Sequence, residues 1–157
     1  MLRPPGLPLL FAAPAAVLAT LAVGACSGSS GGDSDPPAID ERWVGICEQP
    51  LAPGQGVPSA ARFQTADEGL AEMDRLLEDS DLQGASGVFF TQVHDLTHDI
   101  DGHLRSADPA AAGQLCAVIG QMESDFAAGG EAGAMKALAG RARELMREAS
   151  GQLGYTE

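Results

Sequence analysis

Aromatic residues make up only 4% of this 157-residue chain, lysine occurs once, and strand-like alternation is nearly absent. The bases are outnumbered by 22 acids to 9, for a net charge of −13, and no basic cluster is interleaved with aromatics. That balance excludes the electrostatic footprint of a nucleic-acid binder. Catalytic signatures are missing as well. There is no glycine-rich phosphate loop ending in Lys-Ser or Lys-Thr, no HExxH and no dinucleotide fingerprint. No set of serine nucleophile, base and oxyanion hole is visible. CxxCH is missing, which excludes covalent haem, and neither Cys47 nor Cys116 lies in a CxxC.

What is present begins at the N-terminus. Arg3 is the only charge before Asp33, an apolar stretch runs from Leu7 to Val23, and small residues Gly24 and Ala25 precede Cys26. A membrane-spanning helix competes for this stretch. The run falls short of the roughly 20 residues a span needs, however, and Pro8 and Pro14 interrupt it. Val23-Gly24-Ala25-Cys26 resembles the lipobox of the bacterial lipoprotein signal. That resemblance implies cleavage before Cys26, diacylglyceryl attachment to its thiol and N-acylation. It also implies a lipid-anchored domain on the extracytoplasmic side of the bacterial cell envelope. Residues 1–25 are then a signal peptide to be left out of fold reasoning. Residues 26–37 are the acylated cysteine and a Gly/Ser linker with no large apolar side chain. Residues 38–157 are one domain by size.

Cysteine arithmetic agrees with this division. Three cysteines leave an odd one in an exported protein, and acylation of Cys26 accounts for it. Cys47 and Cys116 then remain as a pair, for which a disulfide is the default in an oxidising compartment. Loss of Arg3 with the signal leaves 22 acids against 8 bases, a net of −14 for the mature chain. Such a surface keeps a domain soluble, and it attracts cations or a basic partner.

Helical periodicity appears four times. Thr65-Ala66-Asp67-Glu68 has capping-box spacing, and Ala66, Leu70, Met73 and Leu77 follow on one face. A second helix, from Ser86 or Gly87 to Arg105, carries Phe89, Val93, Leu96, Ile100 and Leu104. Asp108-Pro109 starts a third by N-cap and N1 proline, with Ala112, Leu115, Ile119, Met122 and Phe126 inward. The breaker Ala127-Ala128-Gly129-Gly130 separates it from a fourth, over Ala132–Leu153, with Met135, Leu138, Ala142, Leu145 and Ala149 inward. The pattern predicts an all-α fold, an antiparallel four-helix bundle. Residues 38–64 are expected to wrap it irregularly, with Trp43 as a packing anchor and Cys47–Cys116 as the pin.

All three histidines fall within ten residues of the second helix. His94 and His98, at i and i+4, have the spacing with which a helix offers two imidazoles to one divalent transition metal, and Asp101 could add an oxygen. Arg105 competes for that carboxylate as an i+4 ion pair. The bland alternative leaves both imidazoles in solvent with no ligand. His103 sits at the edge of the apolar stripe and is expected buried or half-buried with one hydrogen-bond partner. A noncovalent haem held between His103 and Met73 or Met122 is a further option. His94-Asp95 and His98-Asp99 are similar to the His-Asp pairs of metal phosphohydrolases, which draw ligands from more helices than this chain supplies. Val93-His94-Asp95-Leu96-Thr97, with Ile100, Asp101 and Leu104, resembles a local signature of small periplasmic helical proteins of unassigned role. His98 stands where that signature has an aromatic, and the resemblance implies no activity.

The sequence therefore predicts a non-enzymatic, membrane-tethered interaction or accessory module. Its expected partners are the lipid bilayer, through Cys26, and an envelope protein; no cofactor is expected. A metal-binding or sensing lipoprotein using His94, His98 and Asp101 is the alternative.

Overall fold

The computed structural model describes residues 37–155. The signal segment, Cys26 and the linker up to residue 36 lie outside that range. The described residues are helical with no strand. A short helix α1 (Glu41–Ile46) is followed by α2 (Ala60–Glu78), α3 (Leu82–Val88), a π turn (Phe89–Val93), α4 (His94–Ala107), α5 (Pro109–Ala128) and α6 (Ala132–Gln152).

Local chemistry sets most of these boundaries. Asp81 caps α3 by accepting from the Gly84 amide at 2.9 Å, and Asp108 caps α5 by accepting from Ala110 and Ala111 at 3.0 Å each. These bonds satisfy first-turn donors that have no partner within the helix. Pro109 occupies the first turn of α5, as its missing N–H and fixed φ favour. At the other end, Gly129 adopts φ 70°, a left-handed cap that glycine takes without a Cβ penalty.

The expected apolar stripes form the core. Leu70, Met73, Phe89, Ile100, Leu115, Met122, Met135 and Leu145 are all buried in one cluster. Within that bundle α2 packs against α3, the π turn and α6, while α5 packs against α1, α4 and α6. Gly69 lets α2 approach the π turn closely, because a Cβ there would press on Gln92.

Three details differ from the sequence expectation. First, α2 begins at Ala60, capped by Ser59, so Thr65 lies inside the helix and its hydroxyl donates to the Ala61 carbonyl at 3.0 Å. The earlier start buries Phe63, whose ring stacks on Tyr155 with centroids 5.4 Å apart. Second, the next helical stretch starts at Leu82, because Asp81 is a good cap and Ala85 packs into the core. Third, residues 41–46 are helical rather than irregular, with Asp40 accepting from the Arg42 amide at 2.9 Å.

The disulfide joins Cys47, just past α1, to Cys116 in the middle of α5, with Cα atoms 5.7 Å apart. Beside it the Trp43 ring packs directly on Gly120, where any Cβ would collide with the indole. The bulk of that ring is packed against α5, in keeping with an anchor, although its buried Nε1 has no hydrogen-bond partner.

Candidate functional site

The residues that look chemical in the sequence lie along one side of α4, where they meet a strap formed by residues 47–56. At about 100° per residue, His94, His98, Asp101 and Arg105 fall on the flank of the buried stripe rather than opposite it. The strap covers that flank. Arg105 donates from Nη1 to the Cys47 carbonyl at 3.1 Å and grips Asp101 through Nε at 3.2 Å and Nη2 at 2.8 Å. Asp101 also accepts from the Leu51 amide at 3.0 Å. One helical turn back, His98 Nδ1 lies 3.1 Å from the Ala52 carbonyl, and its own carbonyl accepts from the Gly54 amide at 3.2 Å.

Asp99 completes the clamp. Its Oδ1 accepts from the Gly56 amide at 2.7 Å, and its Oδ2 pairs with Arg62 at the start of α2. The carboxylates of Asp99 and Asp101 are only 2% and 3% exposed. Such buried charges persist because cations and amides saturate their oxygens. A Cβ at Gly54 or Gly56 would strike Asp99, so this close approach requires glycine. Ala52, Gly54, Gly56, Arg62, His98 and Asp99 line a cleft of about 470 Å³ between strap and helix.

His94 occupies the next position towards the π turn. Its backbone amide donates to the Phe89 carbonyl, which closes that wide turn. Its Nδ1 lies 3.2 Å from Asp95 Oδ1, and its Nε2 lies 3.5 Å from Glu123 Oε1 on α5. The ring is packed near Phe89 and Phe90, with centroids 5.8 and 5.4 Å away. The His94 and His98 rings are neighbours, 4.8 Å between centroids.

Asp101 does not join them. Its oxygens are committed to Arg105 and Leu51, so the ligand set His94, His98 and Asp101 is not assembled. Among the described residues, no three His, Cys, Asp or Glu side chains gather as they stand around a point that could hold a metal ion. His103 is exposed, neither buried nor half-buried. The buried arc of α4 is shifted towards Thr97 and Asp101, because the strap covers that side, and the opposite edge at His103 is left open. Met73 and Met122 are fully enclosed in the core, whereas His103 is exposed, so the structure does not bring His103 together with either.

Sequence reasoning missed Asp99, Arg62 and Glu123 as members of this cluster. The usable signal was Gly54-x-Gly56, a pair of close-approach residues in a segment rich in proline, but nothing in it pointed to α4.

Two further concavities lie on the bundle, the first of them bordering the strap at Cys47 and Arg105. One, of about 610 Å³, runs beside the disulfide past Ile39, Val44, Ala117 and Val118. The other, of about 440 Å³, is lined by Phe63, Asp67, Met146, Arg147 and Tyr155. There Asp67 accepts from both Arg143 and Arg147 at 2.7 to 3.2 Å. The hydrogen bonds from Arg143 are the largest cause that lowers the Asp67 carboxyl to about 2, against an opposing push from burial and with further help from Arg147.

No helix among the described residues is long and apolar enough to cross a membrane. No protein-family model, curated protein or solved structure matches the chain.

Proposed function

We propose that this chain is a lipid-anchored lipoprotein of the bacterial cell envelope, a non-enzymatic helical bundle that serves as an interaction or accessory module. The observation that carries this reading is how its polar residues are used. Asp99 and Asp101, the most enclosed charges of the chemical-looking stretch, are saturated by Arg62, Arg105 and strap amides, and Arg105 in turn by a strap carbonyl. A general acid or base has to reach a substrate proton, and these groups are spent on shape instead. The lipobox supplies the attachment: acylated Cys26 and a short Gly/Ser linker hold the domain near the bilayer.

In the same reading the long helical stretches form an antiparallel four-helix bundle. Residues 79–81, the single residue Asp108 and residues 129–131 connect them, and links this short join antiparallel neighbours. The adjacency of α2 with α6 and of α5 with both α4 and α6 supports a closed ring.

Membrane fractionation of cells expressing the full chain tests the anchor. Wild type partitions with membranes and incorporates labelled fatty acid, whereas Cys26→Ser does neither; label in Cys26→Ser overturns the anchor. Crosslinking on intact cells tests the module. One envelope protein is enriched with wild type and lost with Cys26→Ser, and an undefined list shared by both counts against an interaction role.

A further inference from the structure

Neutral imidazole carries one N–H, and its position is fixed by whatever the other atoms around the ring can accept. The Ala52 carbonyl, 3.1 Å from His98 Nδ1, can only accept. Neutral His98 therefore holds its proton on Nδ1 and leaves the Nε2 lone pair unprotonated. His94 Nδ1 faces the Asp95 carboxylate at 3.2 Å, and its Nε2 faces Glu123, so each of its nitrogens meets a carboxylate. An imidazole whose outer nitrogen is tied to a carboxylate or a backbone carbonyl is oriented as metal-ligating histidines are. Two such rings stand side by side, one helical turn apart, with centroids 4.8 Å from each other. The Glu123 carboxylate of α5 lies 3.5 Å from His94 Nε2.

We infer that His94 and His98 bind one divalent transition-metal ion through their Nε2 atoms, with Glu123 as the carboxylate within reach of a third position. This site differs from the ligand set expected from sequence, because Glu123 from the neighbouring helix takes the place of Asp101. A common ion about 2.1 Å from each nitrogen holds the two nitrogens within about 4 Å of one another, so the rings turn towards each other on binding. Water fills the remaining positions. Imidazole with one carboxylate suits copper, nickel or zinc and not magnesium or calcium, which demand oxygen cages. The ordinary affinity order places Cu²⁺ first. The flanking rings of Phe89 and Phe90 pack beside the His94 imidazole. The site is independent of the lipid-anchor reading.

Calorimetric titration of the full chain, purified in detergent without a histidine tag, tests it with CuCl2, NiCl2, ZnCl2 and MgCl2 in chelator-free buffer. Wild type takes up one transition-metal ion, copper most tightly, and gives no signal with magnesium. His94→Ala and His98→Ala each weaken copper binding by at least about tenfold, and Glu123→Gln does so by a smaller factor. His103→Ala, on the open edge of α4, leaves it unchanged. Should His98→Ala unfold through loss of its bond to the strap, His94→Ala decides alone, because His94 makes no strap contact. Copper binding equal to wild type in His94→Ala, or no saturable binding of any of the three metals, overturns the site. Unchanged affinity in Glu123→Gln overturns the carboxylate's part in it.

Discussion

Asp67 and Asp101 are both carboxylates gripped by arginine, yet they hold different things. Asp67, 28% exposed, joins α2 to α6 by side-chain pairs with Arg143 and Arg147. Those helices already meet through Leu70, Met73, Leu138, Ala142 and Leu145, so the pairs decorate a seam that apolar burial has made. Asp101, 3% exposed, bridges Arg105 and the amide of Leu51. The strap it holds contributes little to the main core, so polar bonds and a disulfide do the work that burial does elsewhere. Water can replace a partner of Asp67 at small cost. It cannot do so for a carboxylate sealed under a strap.

The disulfide is the strongest element on the strap side. Replacing both Cys47 and Cys116 by alanine opens a crosslink spanning 69 positions, a loss of about 4 kcal/mol in the chain-entropy account. Urea unfolding under oxidising conditions should show it, and a loss below about 1 kcal/mol would break the idea that this side depends on its pin. Next comes Asp101→Ala, which strands Arg105 and leaves the Leu51 amide without its acceptor. Removing one partner of a buried ion pair costs about 3 kcal/mol. Hydrogen exchange should also become faster at the Leu51 and Gly54 amides while amides in the middle of α5 stay protected; uniform loss of protection would argue against a separate strap.

The two sides also differed in how well the sequence announced them. The stripes of α2, α4, α5 and α6 follow from spacing alone, and Asp108-Pro109 and Gly129 marked two ends correctly, because their chemistry is local. The Cys47–Cys116 pair followed from counting. The clamp did not, since its bonds run from carboxylates and an arginine to backbone groups, which carry no sequence identity. In the sequence, i+7 places Asp101 near His94 and His98 on one flank, as a ligand would be, and its competitor Arg105 is visible at i+4. The covering amide of Leu51, 50 positions away, was not visible and fixed the outcome. The π turn at Phe89–Val93 likewise has no periodic signature short enough to recognise. His103 fell outside the buried arc for the same reason that Asp101 fell inside it: the strap lies on one side only.

Acid should test the Asp67 side of the comparison. The Asp67 carboxyl is held at about 2, below its ordinary 3.8, so its stabilisation is complete above roughly pH 4 and is lost as the pH falls towards 2. Discounted for partial exposure, that is roughly 1–2 kcal/mol. Asp67→Asn should lower stability by this amount at pH 7 and flatten the pH dependence between 4 and 2. High salt should narrow the gap between variant and wild type. An unchanged slope below pH 4 in Asp67→Asn would assign the acid sensitivity to other groups.

The smallest effect lies where strap and bundle join. Ser59 is extended, with φ −156° and ψ 158°, and its hydroxyl accepts from the Arg62 amide, so the strap ends there and α2 begins. Thr65-x-x-Glu68 imitates a start six positions later, but Phe63 continues the apolar stripe backwards from Ala66 and Leu70, and it is buried. The two sites should respond with opposite signs. Ser59→Ala removes a cap and should cost about 1 kcal/mol. Thr65→Ala replaces an exposed, β-branched residue inside a helix by the best helix former and should stabilise by up to roughly 0.5 kcal/mol. Thermal melts of the two single variants decide it: if Thr65→Ala is the destabilising one, the helix starts at the imitation cap, and Phe63 and Arg62 belong to the strap rather than to the wall it is fastened to.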